Sequence, residues 1–257
     1  MKIIFLGTGT SHGVPVIGCR CKVCNSKNKK NIRNRSSVYI KKSGISIVID
    51  TPAEFRLTTL KYKIKKIDAV LLTHCHSDHI AGLDDLRRYN ELQGKKIPVF
   101  GNKETIKEIK ERFSYIFKKT QEGGGKPKLV LKEIKPYKEF YIGKIKILPI
   151  LVKHGCIDVI SYRINDFVYM TDVSYIPEKS FEFLKNIKVL VLDALRREKH
   201  PTHFNLSEAI DIAKKLRVEK VYFTHISHKL DHDLIQKKLP TNMNLAYDGL
   251  IKVIIKN

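Results

Sequence analysis

Thr73-His74-Cys75-His76-Ser77-Asp78-His79 places three imidazoles and a carboxylate within six residues, directly behind the apolar run Asp68-Ala-Val-Leu-Leu72. A buried strand over that run would deliver the polar residues to the margin of a sheet. His74 and His76 lie two apart, so at a strand end they point the same way, while Asp78 and His79 follow on a turn and face a second position. Neutral imidazole and carboxylate together suit Zn, Mn or Fe. One short loop can therefore feed two adjacent ions, and a surface turn without that purpose gains nothing from clustering unpaired polar groups.

Two ions need more ligands than this loop holds, and isolated His and Asp residues follow other apolar runs. His154 closes the stretch that begins Ile145-Lys-Ile-Leu-Pro-Ile-Leu-Val152, Asp172 follows Phe167-Val-Tyr-Met-Thr171, and His225 follows Val221-Tyr-Phe-Thr224. Each stands where a buried strand would emerge. Taken singly, each is as well explained as a structural residue; their shared position favours ligation.

With these residues in view the chain resembles the metallo-β-lactamase fold hydrolases, whose HxHxDH loop matches His74, His76, Asp78 and His79. The likeness extends over Phe5-Leu-Gly-Thr-Gly-Thr10, Ile49-Asp50, His154, Thr171-Asp172, Thr224-His225 and Asp248-Gly249. It implies an α/β fold, a four-layer αββα sandwich, with residues 1–257 as one hydrolase domain. It also implies that His74, His76 and His154 hold one divalent ion (Zn or Mn), that Asp78, His79 and His225 hold a second, and that Asp172 bridges them. Asp50 matches an Asp that steadies a ligand from behind.

Gly18-Cys19-Arg20-Cys21-Lys22-Val23-Cys24 gives three thiols, and a closed structural zinc wants four donors. His228 is the candidate fourth, because Thr224-His225-Ile226-Ser227-His228 offers two His and the catalytic pair needs one. A Cys19, Cys21, Cys24, His228 zinc would tie the N-terminal loop to the segment carrying His225 and contribute folding energy. Five Cys with no secretory leader argue against a disulfide and for a cytoplasmic setting. Cys75 and Cys156 are expected to be small buried fillers.

This cluster, and Thr202-His203-Phe204-Asn205-Leu206, look like the phosphoribosyl cyclic phosphate phosphodiesterases of the carbon-phosphorus lyase pathway. The tRNA 3'-end processing nucleases share the catalytic plan but typically carry a long RNA-clamping insertion between the equivalents of His154 and Asp172, where this chain has only Gly155 to Thr171. Charge agrees with a phosphodiester: two divalent cations against Asp78, Asp172 and one hydroxide leave about +1, matched to a monoanion. The departing alkoxide needs a proton. His203 is the candidate acid, with His200 nearby, and His203 and Asp78 are the catalytic candidates. The expected function is hydrolysis of a small, cyclic phosphodiester. The alternatives are a tRNA 3'-end processing ribonuclease and a zinc-stabilised nucleic-acid-binding protein without hydrolase activity.

The net charge of +23 points to anions. Lys outnumbers Arg roughly three to one along a chain rich in Ile and Asn, which genome composition alone produces, so nucleic acid is a partner that the sequence permits without favouring. No apolar run approaches the roughly 18 residues of a membrane span, and the sequence leaves oligomeric state open, a homodimer being the commonest assembly among soluble homo-oligomers. Strands are expected near 2–8, 37–42, 45–50, 67–73, 97–100, 140–152, 158–164, 167–171, 188–193, 220–225 and 251–256. Helices are expected over 79–89, capped by Ser77 and Asp78, over 103–117, from Pro177, and over 207–216. Residues 120–127, with three successive Gly, read as a loop.

Overall fold

The computed structural model describes residues 1–119 and 125–254. Its strands are β1 (Lys2–Gly7), β2 (Ser37–Lys42), β3 (Ile45–Ile49), β4 (Ala69–Leu71), β5 (Ile97–Gly101), β6 (Leu129–Glu133), β7 (Phe140–Ile142), β8 (Ile145–His154), β9 (Ile157–Ile164), β10 (Phe167–Met170), β11 (Val189–Asp193), β12 (Lys220–Thr224), β13 (Met243–Leu245) and β14 (Ile251–Val253). Its helices are α1 (Phe55–Lys61), α2 (Ser77–Ile80), α3 (Leu86–Gln93), α4 (Lys103–Arg112), α5 (Ser114–Phe117), α6 (Glu178–Glu182), α7 (Leu206–Lys215) and α8 (His232–Gln236).

The strands form two seven-stranded sheets, ordered β14-β1-β2-β3-β4-β5-β6 and β13-β12-β11-β10-β9-β8-β7. Alternation along each strand sorts the apolar side chains into layers. Ile3 and Phe5 meet Tyr162, Phe167 and Tyr169 between the sheets. Ile4 and Leu6 face the other way, into a cluster with Phe55, Leu86 and Ile109 from α1, α3 and α4. Val168 and Met170 likewise face Ala209, Ala213 and Ile235 of α7 and α8. The result is the expected αββα sandwich.

Strand direction builds the site. β3 and β4 pair in parallel, as do β10, β11 and β12, while β8 reaches the same direction through the antiparallel β9. Their carboxyl ends therefore gather at one margin, the usual place for a site in such sheets. The ligand loop is tied across the sandwich: Ile160 N–H donates to Thr73 O at 2.9 Å and the Tyr162 hydroxyl to Leu72 O at 2.6 Å.

Several expected elements differ. The single strand over 140–152 is two, β7 and β8, reversed at Gly143 with φ 55°. The helix expected over 79–89 is broken into α2, a short 3-10 turn and α3; the break falls at Gly82, whose N–H donates to Thr51 O at 2.8 Å and not to a helical carbonyl, and where a Cβ would lie 2.3 Å from Pro52 O. His76 precedes α2 as its N-cap, and neither Ser77 nor Asp78 caps it. The helix over 103–117 divides at Phe113 into α4 and α5. β6, β13, α1 and α8 are short elements whose patterns fall below what periodicity resolves. Cys75 is partly buried, but Cys156 is exposed, because it lies in the β8–β9 turn. Thr120 to Gly124 of the expected loop lie outside the described residues. No helix among the described residues is long and apolar enough to cross a membrane.

Arg33 is 2% exposed and anchors the loops that frame the site. It donates to Thr8 Oγ1 at 2.7 Å, to Ala246 O at 2.6 Å and, through Nη2, to His232 Nδ1 at 3.1 Å. Burial pulls its guanidinium down to about 10, opposed by Asp248 and Asp231. Burial, then Arg33, lowers His232 to about 4, so His232 is the neutral acceptor this bond needs. Replacing Arg33 with Met removes a buried charge from partners that stay in place. Urea denaturation is expected to show a loss of roughly 3 kcal/mol; a loss within the scatter of surface substitutions would contradict the anchoring role.

Candidate metal centre

The margin described above collects His74, His76, Asp78, His79, His154, Asp172 and His225. The donor atoms of His74, His76 and His154 lie within 4.8 Å of one another, as do those of His74, His79 and Asp172, and those of Asp78, Asp172 and His225. The structure thus brings all seven expected residues together, with Asp172 in contact with both halves. His203 joins the same cluster, grouped with His154 and Asp172.

Two of the imidazoles are aimed by a firm partner on Nδ1, which sets the tautomer. His79 Nδ1 donates to Asp50 Oδ2 at 2.7 Å, and His154 Nδ1 to Thr202 O at 2.6 Å. Asp50, fully buried at the end of β3, also accepts from Thr73 N at 2.9 Å and from Thr73 Oγ1 at 2.9 Å. The backbone assists. Asp50 and His225, immediately after β3 and β12, and Asp172, two residues beyond the end of β10, adopt left-handed φ values of 62°, 58° and 54°. Such a conformation costs on the order of 1–3 kcal/mol at a non-glycine residue; Asp172 and His225 belong to the donor cluster, and Asp50 stands behind His79.

The donor set fits divalent cations. His79 Nε2 is buried without an aligned hydrogen bond, although Asp78 Oδ2 and Asp172 Oδ2 each lie 3.2 Å away. Three donors aimed at one point without bonding one another are what a cation requires. His74 Nε2 and His76 Nδ1 approach to 2.9 Å, close to the roughly 3.3 Å edge that two imidazoles make on a tetrahedral zinc. Electrostatics agree. Burial would lower His79, but Asp172, Asp78 and Asp50 hold it well above the usual histidine range. Burial keeps His74 well below that range, with His79 adding to the effect. The carboxylates thus converge on His79 and make a negative environment that divalent charge suits.

His203 stacks on His225 with ring centroids 4.7 Å apart and stands edge-on to His154 at 4.4 Å. Its Nδ1 donates to Asp193 Oδ2 at 2.7 Å. Asp193, buried at the end of β11, also takes Val173 N–H at 3.0 Å. Sequence reasoning passed over Asp193, although it ends Val189-Leu-Val-Leu192 in the manner of Asp50 and Asp172. His200 is turned toward Thr202, whose N–H lies 3.3 Å from its Nδ1.

At the back of the site, His228 Nδ1 lies 3.2, 3.5 and 3.5 Å from the sulfurs of Cys19, Cys21 and Cys24. Tetrahedral zinc between thiolate and imidazole would separate S and N by about 3.6 Å. The Cys24 N–H donates to Cys21 Sγ and lowers that thiol to about 6, whereas burial raises Cys24 to about 11.

A family model described as the beta-lactamase superfamily domain matches residues 45–226. The chain belongs to the metallo-β-lactamase superfamily. It is 39% identical to a solved structure titled as a new diphosphatase from the PhnP family, with a TM-score of 0.91 and coverage of 98% of this chain and 96% of that one. It is 35% identical, over 99% of its length, to an octanoyltransferase of Porphyromonas gingivalis, but spans only 52% of that relative. A ribonuclease Z of Methanocaldococcus jannaschii is 25% identical across 99% of this chain and 94% of its own length. With its His/Asp cluster, this member of the superfamily is a metal-dependent hydrolase.

Asp50→Ala removes the acceptor that aims His79 while leaving the His74, His76 and His154 group intact. Metal titration is expected to show one site weakened 10–100-fold and the other retained; unchanged affinity at both would remove Asp50 from the metal centre.

Proposed function

We propose that the protein is a dinuclear-metal phosphodiesterase acting on a small phosphodiester, with His203 as the general acid. The observation that carries this is the Asp193–His203 pair: a buried carboxylate fixes Nδ1 and leaves Nε2 for the reacting group, beside seven residues suited to two divalent ions. In this reading His74, His76 and His154 hold one ion, Asp78, His79 and His225 the other, and Asp172 both. Bound there, such ions would lower the pKa of water and neutralise phosphoryl charge. Asp50 and Thr202 O orient ligand rings, and the αL residues hold the ligands ready before substrate arrives. His203 delivers its proton to the leaving oxygen, and Asp193 fixes the orientation of the ring through Nδ1.

A diphosphate link is a phosphoanhydride, but its hydrolysis is likewise attack of water on an anionic phosphorus, so the diphosphatase title of the 39% identical structure supports phosphoryl chemistry here. The ribonuclease reading has the relative noted above on its side. Against it, β8 passes into β9 and β10 through tight turns, which leaves no segment between His154 and Asp172 to grip RNA. The octanoyltransferase name belongs to a protein about twice as long and supports no acyl transfer here. A binding protein without activity would have no use for strained backbone at two of the seven candidate ligands, Asp172 and His225, and at Asp50 behind His79.

His203→Ala is expected to slow hydrolysis of alkyl diesters by 10²–10⁴-fold and to spare bis(p-nitrophenyl) phosphate, whose leaving group needs no proton. Equal loss on both would sink the acid role. The reading also includes a zinc held by Cys19, Cys21, Cys24 and His228. Elemental analysis is expected to find about three metals per chain in the wild type and about two in Cys24→Ser, with a lower Tm for the variant; an unchanged count would exclude that zinc.

A further inference from the structure

We propose that Arg112 is a positioning residue for the His74, His76 and His154 group, and that α4, which supplies no ligand, is the strut that sets the loop of His74 and His76 against the hairpin of His154. The proposal rests on the reading in which those three residues hold one ion, and adds to it what keeps them in place. His79 and His154 have their rings aimed through Nδ1 by Asp50 and by Thr202 O. His76 does not. Its Nδ1 faces His74 Nε2 at 2.9 Å, and among the described residues no protein group bonds its other nitrogen. A ring without such a partner takes its direction from the backbone that carries it.

Both peptides that flank His76 are held. The one after it is fixed by His79 N–H, which donates to His76 O at 2.9 Å. The one before it ends in Cys75 O, which accepts from Arg112 Nη1 at 3.0 Å. Glu108 Oε2, one turn back along α4, lies 2.8 Å from Arg112 Nε and 2.7 Å from Nη2, so one side of the guanidinium is closed on its own helix and Nη1 is left for the loop. The other end of α4 carries a second, longer tie. Asn102 caps the helix by accepting from Thr105 N–H at 2.8 Å, and its Nδ2 donates to Asp158 O at 3.4 Å. Asp158 stands opposite Lys153 in the β8–β9 pairing, one step from His154. Between these ends Ile109 is buried in the cluster under the helix, and Thr105 Cγ2 would lie 3.1 Å from a Cβ at Gly101, so α4 rests directly on the end of β5. Its ten residues, about 15 Å in length, thus join the two sources of this ligand group. The other group is anchored elsewhere, His79 by Asp50 and by Thr51 N–H on its carbonyl.

Competition of the Co²⁺-loaded protein with a chelator tests this, because the absorption of Co²⁺ follows each ion as it leaves and a thiolate-bound ion is set apart by its charge-transfer band. The wild type is expected to release two ions from the His/Asp cluster. Arg112→Ala should weaken one of them by about tenfold or more and hold the other near its wild-type affinity. Arg112→Lys should recover part of the loss, since a lysine offers Cys75 O a donor but no fork to Glu108. Asp50→Ala weakens the other ion, so Arg112→Ala combined with Asp50→Ala should weaken both. Read as a ratio of the two affinities within each variant, the result is insensitive to partial misfolding. An unchanged ratio in Arg112→Ala, or weakening of the same ion by Arg112→Ala and by Asp50→Ala, overturns the strut and leaves the dinuclear reading standing. Fewer than two ions on the His/Asp cluster of the wild type overturns that reading and the strut with it.

Discussion

The hydrogen bond from His79 to Asp50 joins the end of β3 to the ligand loop, and the geometry of the site hangs on it. Asp50 is fully buried, and burial raises its carboxyl above the usual range against the pull of His79 and Thr73. A buried carboxylate in that position must be satisfied from every side. It is: Thr73 supplies a backbone N–H and a hydroxyl, and His79 supplies the ring N–H. The same contacts set the start of the loop, the tautomer of His79 and the docking of α2. That docking continues in Thr51 N to His79 O at 2.7 Å and in Gly82 N to Thr51 O at 2.8 Å. Glycine at 82 is part of this arrangement, since any side chain there would push the ligand helix off the backbone it leans on.

Around this link the protein assembles charge that it does not neutralise by itself. Asp78 and Asp172 are held below the usual carboxylate range by the imidazoles that surround them, in spite of burial. Asp193 departs in the other direction: burial raises its carboxyl well above that range, and Asp172 adds to the rise while His225 opposes it. Acids of one type therefore sit in opposite electrostatic environments within one cleft, Asp78 and Asp172 shifted down and Asp193 shifted up. Divergent environments for like groups are how a site divides ligation from proton delivery.

Much of this was legible in residue order. The HxHxDH loop and the lone His and Asp residues after apolar runs needed only strand periodicity to be read as one site, because a parallel sheet gathers its carboxyl ends. The Cys19-Cys21-Cys24 spacing pointed to a fourth donor, and the structure places His228 against all three sulfurs. Asp193 was hidden because it is a single acid with no neighbour in sequence to betray its partner, ten residues away on the far side of a loop. The positive φ values at Asp50, Asp172 and His225 were hidden too, since Asp and His tolerate that conformation without advertising it. Helix breaks at Gly82 and Phe113 depend on what packs against them, which local pattern does not carry.

The bonds that cross the sandwich have a mechanical meaning. The ligand loop belongs by strand order to the sheet of β3 and β4, yet Thr73 O and Leu72 O are held by Ile160 and Tyr162 of the opposite sheet. Three of the seven candidate ligands, His154, Asp172 and His225, also come from that opposite sheet. Sliding of one sheet over the other would pull the two halves of the donor set apart, and these two bonds stand in the way as pins. The layers cannot shear without the site being lost, so whatever motion admits substrate and releases product must be confined to the loops at the margin.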